Sequence, residues 1–255
     1  MRLSFGIAAL LLCIAGRAPA ESETLRFTID GLERRVLVYA PDAPASQPPP
    51  IVIVYHGRGD DAAPFAAAVK LHEDWPEAVI AYPRGEPHEG KPMRGWQYRA
   101  GQYADRDLKL TDALLAQLVE RHGTPPARRY AAGFSNGGHF LFLLMNERPE
   151  AFAAHAVIGS VRPDFSSESA PRPLMYLFGR GEPRRYQDDW QQTILKLSAH
   201  QRGSGGLIDA YGCCKRQNPG PDGAVFVFGT YNAGHIWPAG GNTWIRAFFE
   251  EQAAD

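Results

Sequence analysis

Apolar and polar residues alternate from Thr24 to Ile29, with Leu25, Phe27 and Ile29 on one side and Arg26, Thr28 and Asp30 on the other. Asp30-Gly31 turns the chain and the alternation resumes from Arg35 to Tyr39, which predicts an antiparallel pair with one wet face. Pro41 to Pro50 is rich in proline and alanine and reads as a surface loop. The pattern then changes. Ile51–Tyr55 is a continuous apolar run, as expected of a parallel strand covered on both faces. Similar runs recur at Ala78–Tyr82, Ala156–Ile158, Leu174–Phe178 and Val225–Phe228, and Arg129–Ala132 is a short strand-like run. Helical patterns lie between them. Asp105–His122 sets Leu108, Thr111, Leu115, Leu118 and His122 on one stripe, and Phe140–Met145, Asp188–Gln201 and Asn242–Gln252 follow. Strand and helix alternate, so the predicted class is α/β: a mostly parallel central sheet, antiparallel N-terminal edge strands, and helices on both faces.

The first twenty residues stand apart from this pattern. Arg2 is a short charged region, Phe5–Ile14 is apolar, and Ala18-Pro19-Ala20 offers a small-x-small cleavage site. The expectation is a signal peptide cut after Ala20, a single domain over 21–255, and a secreted or periplasmic protein. Stable membrane insertion is not expected, because the apolar run is too short to span a bilayer. Bulky Leu12 before Cys13 departs from a lipoprotein signal. Removing this leader takes away Arg2 and Arg17 and no acid, moving the net charge from -1 to -3. That balance excludes the electrostatic footprint of a nucleic-acid partner. Cys213 and Cys214 then remain, and both a disulfide between neighbours and two free thiols are open. No second pair stands at ligand spacing, so no metal and no cofactor are expected.

Chemistry concentrates where predicted strands run out, the place where open α/β sheets bind ligands. Gly133-Phe134-Ser135-Asn136-Gly137 lies between a strand and a helix and has the G-x-S-x-G form of a nucleophile elbow. His56-Gly57-Arg58-Gly59 follows Ile51–Tyr55. The backbone N–H groups of Arg58 and Asn136 are the candidate oxyanion donors; the ordinary reading of the first loop is a Gly-rich β–α turn. Trp96 and Tyr98 sit in a long loop before the Asp105 helix, as cleft walls or as packing aromatics. Glu182 follows Leu174–Phe178 and leads Asp164, Asp188, Asp189, Asp209 and Asp222 as the acid that would orient a histidine. Asp188 and Asp189 suit a helix start better, and Asp222 suits a turn. His235 alone follows both the serine and that acid within a loop, so Ser135, Glu182 and His235 keep the serine–acid–histidine order of an acyl-transfer triad.

These stretches carry a resemblance. Tyr55-His56-Gly57, Tyr82-Pro83, the Asp105–Leu118 helix, Gly133–Gly138, Phe178-Gly179-x-x-Glu182 and Gly234-His235-x-Trp237-Pro238 are similar to the polyhydroxybutyrate depolymerase, feruloyl esterase and acetylxylan esterase-type hydrolases. The resemblance implies an α/β-hydrolase fold and a secreted serine esterase taking a small-molecule or oligomeric ester, with Trp237 beside the substrate cleft. Three positions depart from the family: Glu182 where Asp is usual, Phe178 where His is usual, and Arg184-Arg185-Tyr186 where Val-Pro follows the acid. Other readings are a serine peptidase on the same fold and a hydrolase-fold binding protein without catalysis. The acyl group, the alcohol and the oligomeric state are not encoded in any motif.

Overall fold

A computed structural model describes residues 22–41, 46–88, 92–161 and 169–253. The leader at 1–20 and the candidate acid Asp164 lie outside these residues. Among the described residues twelve strands and six α-helices follow in chain order: β1 Ser22–Ile29, β2 Leu32–Tyr39, β3 Ile51–Tyr55, α1 Ala62–Val69, α2 Leu71–Asp74, β4 Val79–Pro83, β5 Glu86–Pro87, β6 Arg94–Gly95, α3 Arg106–His122, β7 Arg129–Phe134, α4 Asn136–Glu147, β8 Ala154–Ile158, β9 Leu174–Gly179, α5 Arg184–His200, β10 Gly203–Ala210, β11 Cys214–Pro219, β12 Phe226–Tyr231 and α6 Gly241–Gln252. Ten strands form one sheet in the order β1-β2-β4-β3-β7-β8-β9-β12-β11-β10, and β5 and β6 pair separately.

The six strands from β4 to β12 are parallel. Every residue of β3, β4, β8 and β9 is buried, which is why these strands read as unbroken apolar runs rather than as alternation. Helices cover both faces. Leu108, Leu114, Phe140, Leu144 and Leu197, from α3, α4 and α5, pack with Ile51, Ile53 and Tyr55. Phe65, Val69, Ile245, Phe248 and Phe249, from α1 and α6, pack with Val52, Val54 and Ile80.

The antiparallel N-terminal edge, β1 and β2 against β4, is as expected. A second antiparallel edge, β11 and β10 beyond β12, was not. Strand β10 is Gly-Ser-Gly-Gly-Leu-Ile-Asp-Ala and exposed along nearly its whole length, so it has no buried face to write an alternation into the sequence. Helix α5 starts at Arg184 rather than at Asp188; its first turn holds no acid, and Asp188 and Asp189 lie in the second turn. Cys213 and Cys214 are joined as a disulfide where β11 begins. Among the described residues no helix is long and apolar enough to cross a membrane.

Candidate active site

Strand β7 ends at Phe134 and α4 begins at Asn136, so Ser135 alone makes the turn. Its φ of 53° and ψ of -114° lie where an L-residue is strained. The helix can start this close to β3 only because Gly137 has no Cβ, which would overlap the Tyr55 carbonyl oxygen. The turn presents the Ser135 hydroxyl at the carboxyl edge of the sheet, beside the loops that follow β3, β8, β9 and β12.

Two of those loops are stitched together. The Arg180 N–H donates to the Tyr231 carbonyl at 2.9 Å, and the Gly181 N–H to the Ala233 carbonyl at 2.9 Å. The stitching brings Glu182, past β9, to His235, past β12. His235 Nδ1 lies 2.6 Å from Glu182 Oε1, and its Nε2 lies 2.8 Å from Ser135 Oγ. With Nδ1 donating to the carboxylate, Nε2 is left to accept the serine proton. Glu182 is only 3% exposed while the imidazole is open to the cleft. Phe134 supports the ring, centroid to centroid 4.8 Å. Tyr231, whose hydroxyl titrates far above its ordinary value through burial and the nearby Glu182 carboxylate, stays a donor and holds the Ile236 carbonyl at 2.7 Å, fixing the histidine loop.

The loop after β3 is held by a buried histidine. His56 Nδ1 donates to the Gly57 carbonyl at 2.7 Å and Nε2 accepts the Gly85 N–H at 2.9 Å. Burial keeps this ring below the usual histidine range, so it sits neutral. Because the peptide is trans, drawing the Gly57 carbonyl toward His56 aims the Arg58 N–H the opposite way. Asn136 is the first residue of α4, so its N–H has no acceptor within the helix.

The cleft has a volume of about 430 Å³ and takes in Arg58, Tyr98, Ser135, Asn136, Tyr186 and His235 among its walls. Two of the candidate cleft residues lie elsewhere. Trp96 is fully buried under the floor, donating its indole N–H to the His56 carbonyl at 2.9 Å and lying edge-on to Tyr55. Trp237 turns away to Asn242, 2.9 Å from its Oδ1, and packs against Phe65. Trp96 is thus a core residue, and Trp237 is half-buried against the α1 face of the sheet. Of the competing acids, Asp209 pairs with Lys215 on the edge hairpin and Asp222 occupies a turn at positive φ.

Three further residues at or behind the cleft were not among those expected. His139 lines the cleft one helical turn beyond Ser135, its Nδ1 2.9 Å from Ser160 Oγ. Tyr176 donates to the Ser160 carbonyl at 2.5 Å. The four-residue spacing from Ser135 was a usable clue to His139; nothing local pointed to Ser160 or Tyr176.

No family model matches the chain. Over 184 residues it is 26% identical to the protein named "Putative esterase NocK" of Nocardia uniformis subsp. tsuyamanensis, covering 66% of this chain and 51% of that one. The chain therefore spans about half the length of this curated relative. Among solved structures it is similar to the acetyl xylan esterase from Aspergillus awamori, with a TM-score of 0.67 at 16% identity over 89% of this chain and 98% of the other. It is also similar to a ferulic acid esterase, with a TM-score of 0.61 at 11% identity over 92% and 97%. At such identities the likeness carries the fold, and the fold is that of the α/β-hydrolases.

Proposed function

We propose that this chain is a carboxylic ester hydrolase working through an acyl-enzyme on Ser135. The observation that carries the reading is the unbroken hydrogen-bonded line from Glu182 through His235 to Ser135. As His235 Nε2 takes the hydroxyl proton, Ser135 Oγ forms a bond to the ester carbonyl carbon and the carbonyl oxygen becomes an oxyanion. The Asn136 and Arg58 N–H groups receive that charge; a donor of this kind is worth roughly 10²–10³ in kcat in serine hydrolases. Collapse breaks the bond to the alcohol oxygen, which leaves with the proton from Nε2. Water then repeats the sequence on the acyl-enzyme, giving its proton to His235 and releasing the acid. Buried Glu182 stabilises the imidazolium formed twice in each cycle.

The substrate is a small or oligomeric ester. The names of the structural neighbours, an acetyl xylan esterase and a ferulic acid esterase, support acetyl and feruloyl esters as first choices, with polyhydroxyalkanoate oligomers beside them. Residues 1–20 support a secreted or periplasmic location, with a mature N-terminus at Glu21.

The test uses p-nitrophenyl acetate and a serine-reactive phosphonate on the mature protein. Turnover abolished in Ser135→Ala, with the phosphonate mass on the Ser135 peptide of the parent, is expected. Full turnover in Ser135→Ala removes the proposal.

A further inference from the structure

Among the described residues the cleft is lined by one exposed arginine and by no exposed carboxylate. Glu182 is the carboxylate lining it among the described residues, and it is buried and engaged by His235. Arg58 lines the same cleft, exposed, donating to the Tyr98 hydroxyl and lying 5.6 Å from the centre of the Tyr98 ring. A second arginine–tyrosine pair comes from another loop: the Arg185 guanidinium lies 4.7 Å over the ring of Tyr186, itself a cleft residue. Arg184 stands next to it, and Arg99 and Arg180 flank Tyr98 and Glu182 in the chain.

Among the described residues, none of these five arginines has a carboxylate within 4.0 Å. Of the other described arginines, Arg26, Arg34, Arg35, Arg84, Arg94, Arg106, Arg121, Arg148, Arg172, Arg216 and Arg246 have a carboxylate within 4.0 Å, whereas Arg128, Arg129 and Arg202 donate to backbone carbonyls instead. The start of α5 sharpens the contrast. A helix N-terminus favours acids in its first turn, yet this one has none and carries Arg184 and Arg185 instead.

We propose that the ester hydrolysed here carries a carboxylate, and that Arg58, with Arg184 and Arg185 next to the cleft residue Tyr186 at the start of α5, selects for that charge. A guanidinium tied to a tyrosine hydroxyl, as Arg58 is to Tyr98, or laid over a tyrosine ring, as Arg185 is over Tyr186, is restrained in orientation, which suits paired hydrogen bonds to a carboxylate. Arg58 serves twice on this account: its backbone N–H faces the oxyanion and its side chain faces the anionic end of the substrate. The turnover part of this inference rests on the proposed esterase activity; the binding part does not.

The experiment compares 4-acetoxybenzoate with its uncharged methyl ester. Binding is measured by calorimetry to Ser135→Ala, which has no nucleophile, and kcat/KM is measured with the parent. The carboxylate is expected to bind on the order of tenfold more tightly than the methyl ester at low salt, with the preference shrinking as ionic strength rises. The kcat/KM ratio should favour it similarly, although its phenolate is the poorer leaving group. Within the Ser135→Ala background the preference should fall to about one in Arg58→Gln and persist in part in Arg58→Lys. The exposed pair Arg184→Gln/Arg185→Gln should reduce it separately. Equal binding of both compounds, or a preference unchanged in Arg58→Gln, overturns the proposal even if both esters are hydrolysed. Tighter binding of the carboxylate without turnover of either ester upholds the binding part and counts against the esterase reading instead.

Discussion

Asn136 grips the backbone of Trp96 from both sides: its Oδ1 accepts the Trp96 N–H at 2.7 Å and its Nδ2 donates to the Trp96 carbonyl at 3.2 Å. The side chain thus mimics a strand neighbour and ties the residue after the nucleophile to the loop that floors the cleft. Asn136 is buried, so water cannot replace either bond. Asn136→Ala should destabilise the protein by about 2–4 kcal/mol, since two buried backbone groups lose their partners. Urea denaturation at neutral pH checks this, and a loss below about 0.5 kcal/mol would show that the loop finds other partners.

Glu182 meets His235 at 2.6 Å through a side chain one methylene longer than aspartate. The loop is built for that length, because β9 and the Glu182 backbone are fixed by the hydrogen bonds that join the two loops. Glu182→Gln should lower kcat by roughly 10²–10⁴, as the imidazolium loses its counter-charge and the wrong tautomer is favoured. Glu182→Asp restores the charge but not the reach, and should fall between the parent and Glu182→Gln. A steady-state series on one p-nitrophenyl ester decides this. Equal activity in parent and Glu182→Gln would assign the acid elsewhere.

The parts legible in the sequence were those in which burial leaves a periodic mark. Ile51–Tyr55 and Leu174–Phe178 could hardly be other than covered strands, and their ends led directly to His56, Arg58 and Glu182. Ser135 and His235 were legible because chain order and glycine spacing constrain them together. Trp96 stayed open between the two readings because an aromatic beside a glycine-rich loop reads alike whether it lines a cleft or sits beneath it; only the neighbours, Tyr55 and Phe140, decide. The edge hairpin Gly203–Pro219 was missed for the opposite reason: it buries too little to be written as a pattern.

Ser135 makes its turn at φ 53°, a conformation that glycine adopts freely and other residues do not. Alanine normally stabilises a folded chain relative to glycine, by about 0.5–1 kcal/mol in a regular element. At this position the order should reverse. Both Ser135→Ala and Ser135→Gly lose the hydroxyl and its bond to His235, but only the second releases the backbone strain, of order 1–3 kcal/mol. Ser135→Gly should therefore melt above Ser135→Ala, measured by calorimetry at one scan rate. The ordinary order, with Ser135→Ala the more stable, would mean that the elbow is not strained.

His155 lies in the middle of the sheet, wholly buried, with no hydrogen bond to either ring nitrogen among the described residues. Burial, aided by the nearby Arg172, lowers its pKa from 6.5 to about 3. The folded state therefore holds this ring neutral between those values while the unfolded chain protonates it. Its contribution to stability is complete above pH 6.5 and is lost progressively as the pH falls toward 3, at about 1.4 kcal/mol per pH unit. His155→Leu removes both the proton uptake and two unpaired polar atoms at similar volume. It should match or exceed the parent at pH 7 and lose stability less steeply on acidification, by about one proton's worth. Urea midpoints and slopes taken from pH 7 to pH 4.5 read this directly, and parallel acid limbs in parent and His155→Leu would show that the buried ring is already protonated or already solvated in the fold.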